Sequence, residues 1–355
     1  MATADFPRAV PALFPQASLA RAVTAAKTPA FLVTVDTECD NAWERRKTVT
    51  TRNSWFIPRF QSVCEQYGLR PTYFTTYEMA ICPVFRQFGQ RVLELGRGEI
   101  GMHLHAWDSP PIVPLTDDDS CYHPYLIEYP EAIMRQKIAY LTHLLEGVFR
   151  TKMKSHRAGR YGLNTQYAQM LVEHGYTSDC TVTPLNSWAA HLGDPQKRGG
   201  PDFTDFPLTP YFVDLKNIGQ PGASGLLEIP ISAVRFGQGI VGAFKRSLPQ
   251  RSIPTRILNR AFPPRCLLSP HKRNLGLLVR ATERLLEEGR SCVHLSIHSS
   301  YLMPHGSPMF PESSDVEDLY SALHKVFSFA ARHFKGMTVT EFRNSFPEVR
   351  PVLAA

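Results

Sequence analysis

Nowhere in the 355 residues does an apolar run approach the roughly 20 residues that cross a bilayer. The opening stretch also has no secretory h-region, because Pro7, Pro11 and Pro15 interrupt its short apolar pieces. Both absences predict a cytoplasmic protein. The seven cysteines show no CxxC spacing and cannot all pair, which argues against a disulfide framework; Cys64, Cys180 and Cys292 sit in apolar surroundings, as reduced thiols do. There is no internal repeat and no low-complexity tract, so solenoid and disordered classes drop out.

Negative charge is missing from one long stretch. From Arg235 through Arg280 there is no acidic residue, while Lys245, Arg246, Arg251, Arg256, Arg260, Arg265, Lys272 and Arg273 alternate with apolar side chains. Much of the net charge of +7 is concentrated there. Three readings fit the segment: peripheral contact with an anionic membrane through residues 235–273, binding of a phosphate group, or a solvated basic loop packed on the body of the protein. No recognisable nucleic-acid motif accompanies the charge, so nucleic acid is not an expected partner.

What is present is an alternation of strand and helix patterns. Ala30 to Asp36 and Ser291 to His298 are continuous β-branched and apolar runs; Pro71 to Thr76, Leu226 to Ser232 and Met337 to Phe342 are further strand candidates. Met134, Ile138, Leu141, Leu145 and Val148 recur at helical spacing after Pro130. Helical patterns also cover Tyr167 to His174, stopped by Gly175, then Leu275 to Glu288 and Asp315 to Phe334. Such alternation builds βα units on a parallel sheet, and about eight strands favour a closed or nearly closed barrel with polar groups at the carboxyl ends of its strands. At 43% apolar residues the chain can bury one full core. The expected organisation is an N-terminal extension (1–28), one barrel domain (29–345) elaborated at about 185–273, and a C-terminal tail (346–355).

The strand ends carry the chemistry. His103 and His105 are two positions apart at the end of an apolar run, so one strand face can present both imidazoles to a metal ion, or both can be hydrogen-bonded core histidines. Asp36 and Glu38 emerge together from the first run, as a functional pair or as loop and capping carboxylates. Arg157, Arg160, Tyr161 and Gly162 form a glycine-bounded turn, with either arginine able to serve a site or a surface ion pair. Asp179 follows another strand pattern, where a turn residue is the alternative, and His298 ends a buried run. His123, in a long loop, can reach the site or stay exposed, and His156 and His305 have similar claims. Trp107 stands between the histidines and a proline break, placed to wall a pocket and stack on a sugar ring.

In this order the motifs resemble those of the polysaccharide deacetylase family, carbohydrate esterase family 4, over roughly residues 30 to 345. The likeness rests on Asp36 with Glu38, on Gly98-Glu-Ile-Gly-Met-His103, on Arg157 to Gly162, on Asp179 after Gly175-Tyr176, and on Leu295-Ser-Ile-His298. The resemblance implies an α/β fold that is a distorted, incomplete (β/α) barrel, here with an inserted basic segment. It further implies a hydrolase removing an N-acyl group, most simply N-acetyl, from a sugar with one divalent metal ion such as zinc.

Within that resemblance Asp36 is the base, Arg157 orients it, His298 is the general acid, and Asp179 or another acceptor sets the tautomer of His298. Glu38, His103 and His105 are the metal ligands, and Trp107, Arg160, Tyr161 and His123 face the substrate. This chain departs from the family at Trp107, the usual place of the second histidine, for which His105 substitutes. A cytoplasmic member meets precursors, which points to a nucleotide sugar, a lipid-linked glycan or an O-antigen chain in surface-polysaccharide or lipopolysaccharide biosynthesis, at the inner face of the membrane. A sugar N-deformylase on the same site is a variant, and a catalytically silent carbohydrate-binding protein is the competing class.

Overall fold

Ala30–Thr37 forms strand β1, buried along its whole length because both of its faces are covered. The structure, a computed structural model, describes residues 28–42, 48–193, 199–236 and 265–347. The expected terminal extension and tail, and the middle of the basic segment, therefore lie outside the described residues, apart from positions 28, 346 and 347 at their edges. The remaining strands follow as β2 (Thr72–Thr75), β3 (Glu99–Leu104), β4 (Ser155–Ala158), β5 (Ser178–Asp179), β6 (Tyr211–Asp214), β7 (Asn217–Pro221), β8 (Leu227–Glu228), β9 (Ala233–Arg235), β10 (Arg265–Leu267), β11 (Cys292–His298) and β12 (Lys335–Gly336).

The main sheet runs β11-β1-β2-β3-β4-β5-β8-β6-β7, with β12 also paired to β1. Its centre is parallel, while β6 and β7 add an antiparallel end. The two outer strands β11 and β7 do not pair, so the curled sheet is the incomplete (β/α) barrel that the resemblance implies. Crossover helices cover its outer face. Helix Glu131–Phe149 joins β3 to β4 and buries Met134, Ile138, Leu141 and Leu145; helices Thr165–Glu173, Leu278–Glu287 and Ser313–His333 fill the other expected positions.

Alternation along the strands sorts the two faces. Phe31, Val33 and Val35 of β1 join the large core under the helices, whereas Leu32 packs inside the curl with Phe74, Cys180 and Leu227. Thr34 and Asp36 continue that inner face toward the carboxyl end of β1. In parallel register Asp36 lies beside His298, and His103 lies beside Arg157, so each pair shares the inner face.

One strand expectation fails. Met337 to Phe342 is not a strand: pairing with β1 stops at Gly336 and helix Val339–Ser345 follows. Thr338 accepts a hydrogen bond from the Glu341 amide, and Glu341 receives the Thr338 amide in return, a capping box that outweighs the β-branched composition. Val339 and Phe342 are buried at helical spacing. Thr338→Ala should therefore cost about 0.5–2 kcal/mol of unfolding free energy, read from the urea midpoint at unchanged slope. No change would mean that the cap does not hold this helix.

Candidate active site

The carboxyl ends of β1, β3, β4 and β11 open into one cavity of about 1090 Å³. Asp36, Glu38, His103, His105, Trp107, Arg160, Tyr161 and His298 all line it. Arg157 sits behind Asp36, wholly buried, and every direction of its guanidinium is answered. It donates from Nε to the Cys180 carbonyl (2.8 Å), from Nη1 to Asp36 and to Ser296 Oγ (2.8 Å), and from Nη2 to Thr34 Oγ1 (2.8 Å) and His294 Nε2 (3.1 Å). A guanidinium only donates, so His294 accepts at Nε2 and carries its proton on Nδ1 toward the Ile229 carbonyl (3.0 Å). Burial, reinforced by Arg157, pushes His294 down to about 3.

The same ion pair sets the state of Asp36. Burial alone would raise its carboxyl, but Arg157, and next His298, hold it below the ordinary carboxylate range. One oxygen of Asp36 is fixed by Arg157. The other, Oδ2, lies 3.8 Å from His298 Nε2.

Glu38 occupies the centre of the arrangement. Its Oε1 accepts a 2.6 Å hydrogen bond from His298 Nδ1, and its Oε2 faces His105 Nε2 at 3.4 Å and His103 Nε2 at 3.9 Å. Burial pushes His298 down, yet the Glu38 carboxylate more than offsets this and the imidazole is raised above its ordinary value. His103 donates from Nδ1 to the Arg157 carbonyl (2.9 Å), which turns Nε2 into the cavity; burial holds it down to about 4. His105 is pushed down by burial but held up at about 10 by Asp108 and Glu38.

Glu38, His103 and His105 bring one donor atom each to within 4.8 Å of one another. Tetrahedral ligands about 2.0–2.1 Å from an ion stand about 3.4 Å apart, close to the 3.4 and 3.9 Å seen here. Two neutralisable imidazoles, one carboxylate and an open cavity side fit a catalytic divalent site. The fit depends on Gly159 at the end of β4, where a Cβ would come within 2.5 Å of the His105 ring and 2.4 Å of the Leu104 carbonyl.

Two expected site residues are elsewhere. Asp179 does not reach His298: its carboxylate accepts from His156 Nδ1 (2.6 Å) and from Thr181 Oγ1 (3.0 Å), while His156 Nε2 accepts from Tyr167 (2.8 Å). The reason is register, since Asp179 lies beside His156, and strand alternation turns His156 away from Arg157. The tautomer of His298 is set by Glu38 instead. His123 is not among the cavity residues; it lies 3.8 Å from Asp119 in the loop before helix Glu131–Phe149. Trp107 does wall the cavity, stacked on His105 with ring centres 4.6 Å apart.

Residues from several loops complete the cavity. Tyr161 stacks on Trp188 at 4.9 Å, and Trp188 is anchored by its indole N–H to Thr183 Oγ1 (2.8 Å). Arg160 and Tyr161 both have left-handed backbone (φ 51 and 59), a sharp turn that points both side chains to the cavity. Arg265, His271 and Arg273 also line the cavity.

No family model matches the chain in sequence, and no curated protein does. In three dimensions it is similar to a protein from Mycobacterium smegmatis assigned as a polysaccharide deacetylase, with TM-score 0.52 and 16% identity over 98% of this chain and 100% of the other. It is also similar to a Parabacteroides distasonis protein assigned as a glycoside hydrolase/deacetylase, with TM-score 0.54 and 10% identity over 89% of this chain and 70% of the other. The chain thus has the polysaccharide-deacetylase fold.

Proposed function

We propose that this protein is a metal-dependent hydrolase of an N-acyl group, most simply N-acetyl, on a sugar. The observation that carries the reading is the meeting of Asp36, His298 and the Glu38–His103–His105 cluster in one cavity, with the candidate base and acid 3.8 Å apart yet held by different partners. A divalent ion at that cluster, most simply zinc, would polarise the acyl carbonyl and acidify a water. Asp36 Oδ2 is free to take a proton from the attacking water, because Arg157 occupies Oδ1 and keeps the carboxyl ionised. His298, with Nδ1 committed to Glu38, presents Nε2–H to the departing amine nitrogen. Tyr161, its hydroxyl kept protonated by burial, and the stacked Trp188 offer a face for a sugar ring.

An acid and a base aimed at one point are not needed by a carbohydrate-binding protein, which favours the enzyme over the silent reading. Among the described residues no helix is long and apolar enough to cross a membrane. A cytoplasmic role on surface-polysaccharide or lipopolysaccharide precursors remains part of this proposal. The test is acetate or formate release from N-acylated amino sugars by zinc-loaded protein. Asp36→Asn should lower kcat by about 10²-fold or more with the fold intact by circular dichroism. Wild-type rates in that variant would remove Asp36 from the chemistry.

A further inference from the structure

The cavity has more positive charge than its chemistry uses. Among the described residues its lining carboxylates are Asp36 and Glu38, and both are engaged, by Arg157 and by His298 respectively. Arg160, Arg265 and Arg273 also line it, and among the described residues none of the three pairs with a carboxylate. Arg265 and Arg273 are solvent-facing while Asp36, Glu38 and the two histidines are buried, so the arginines stand at the mouth and the reacting groups at the floor.

The wall that carries them is held in place. β10 pairs antiparallel with β9, setting Arg265 beside Arg235, and the Leu268 carbonyl accepts the Ser296 amide (3.0 Å) from β11. The buried side chain of Asn274 then ties the following turn together. It donates to the Ser269 carbonyl (2.9 Å) and accepts from the His271 amide (2.9 Å), while Lys272 is taken up by Asp315 at 2.6 Å. Arg273 is thereby left facing the cavity. The Tyr161–Trp188 stack lines the same cavity, with Arg160 placed over the Tyr125 ring at 5.8 Å.

We infer, on the strength of the hydrolase reading above, that the cavity mouth is a phosphate subsite formed by Arg160, Arg265 and Arg273, and that the substrate is an N-acyl sugar carrying a phosphate or diphosphate. Guanidinium groups bind phosphate oxygens bidentately and never lose their charge, so three that line one cavity without carboxylate partners among the described residues select for such a group. The sugar lies on the aromatic stack with its acyl nitrogen over Asp36 and His298, and the phosphate remains at the mouth. A nucleotide sugar and a lipid diphosphate sugar share this chemistry.

The subsite is tested first without turnover. Isothermal titration of the full chain with inorganic pyrophosphate should give binding that weakens about tenfold or more in Arg265→Gln/Arg273→Gln. An Arg332→Gln/Lys335→Gln variant, which loses the same charge away from the cavity, should bind as wild type does. Absent binding, or equal weakening in both variants, overturns the subsite. Zinc-loaded wild-type protein is then given UDP-N-acetylglucosamine, a lipid diphosphate-linked N-acetylglucosamine in nonionic micelles, and neutral chitotriose. One of the phosphorylated substrates should exceed chitotriose in kcat/KM by about tenfold or more, and which of them does so assigns the source of the phosphate. Chitotriose cleaved equally well overturns the subsite and leaves the hydrolase standing. If none of the three releases acetate, the hydrolase reading fails, while pyrophosphate binding still decides the subsite.

Discussion

Replacing His298 with alanine should lower kcat by about 10²- to 10⁴-fold, the range a positioned proton donor contributes. The pH dependence gives the sharper signature. Glu38 raises His298 above its ordinary value, so the imidazolium persists to higher pH than that of an ordinary histidine, and Asp36 is ionised from below its ordinary value upward. The wild-type kcat/KM should therefore have its acid limb below the ordinary carboxylate range and its alkaline limb above the ordinary imidazole range, falling there as His298 loses its proton. In His298→Ala the alkaline fall should vanish together with most of the rate. Retention of that limb in the variant would assign the proton donor elsewhere.

The second large effect concerns Arg157. Arg157→Met leaves the Asp36 carboxylate buried without its principal counter-charge, and losing one partner of a buried pair costs about 3–5 kcal/mol. The sign with pH follows from the direction of the shift. In the wild type the Asp36 carboxyl is lower in the folded than in the unfolded chain, so it stabilises above the unfolded value of about 3.9 and this contribution is lost as pH falls through the folded value. In the variant, burial acts with much less opposition, the folded value rises, and the group destabilises at neutral pH instead. The stability gap between the two proteins should thus be widest near pH 7 and close toward pH 4, read from urea midpoints at each pH. A gap independent of pH would mean that Arg157 acts by packing, for example through its stacking 4.7 Å above the Phe74 ring, and not through Asp36. The activity of Arg157→Met should also move its acid limb to higher pH.

Much of this site is legible in sequence because it lies on strands. Period-two alternation and β-branched runs locate the ends of β1, β3 and β11, and hence Asp36, His103 and His298. The same rule, carried one step further, separates His156 from Arg157 and turns Asp179 to the helix side with its neighbour. Thr338-Val-Thr-Glu341 likewise spells a capping box inside a run that composition alone makes a strand. Other features have no local signature. Glu38 holds His298 with one oxygen and faces two histidines with the other only because β1, β3 and β11 converge. Trp188, Arg265 and Arg273 reach the cavity from loops and a short strand pair, where no periodicity marks a side chain's direction.

The proposed hydrolysis depends most on the Glu38–His103–His105 cluster, and metal content measures it directly. Purified protein analysed by elemental mass spectrometry should carry about one zinc or similar ion per chain, and His103→Ala/His105→Ala should carry none. An ion-free wild type even after soaking in zinc, or a double variant that keeps its ion, would contradict the metal-dependent hydrolase.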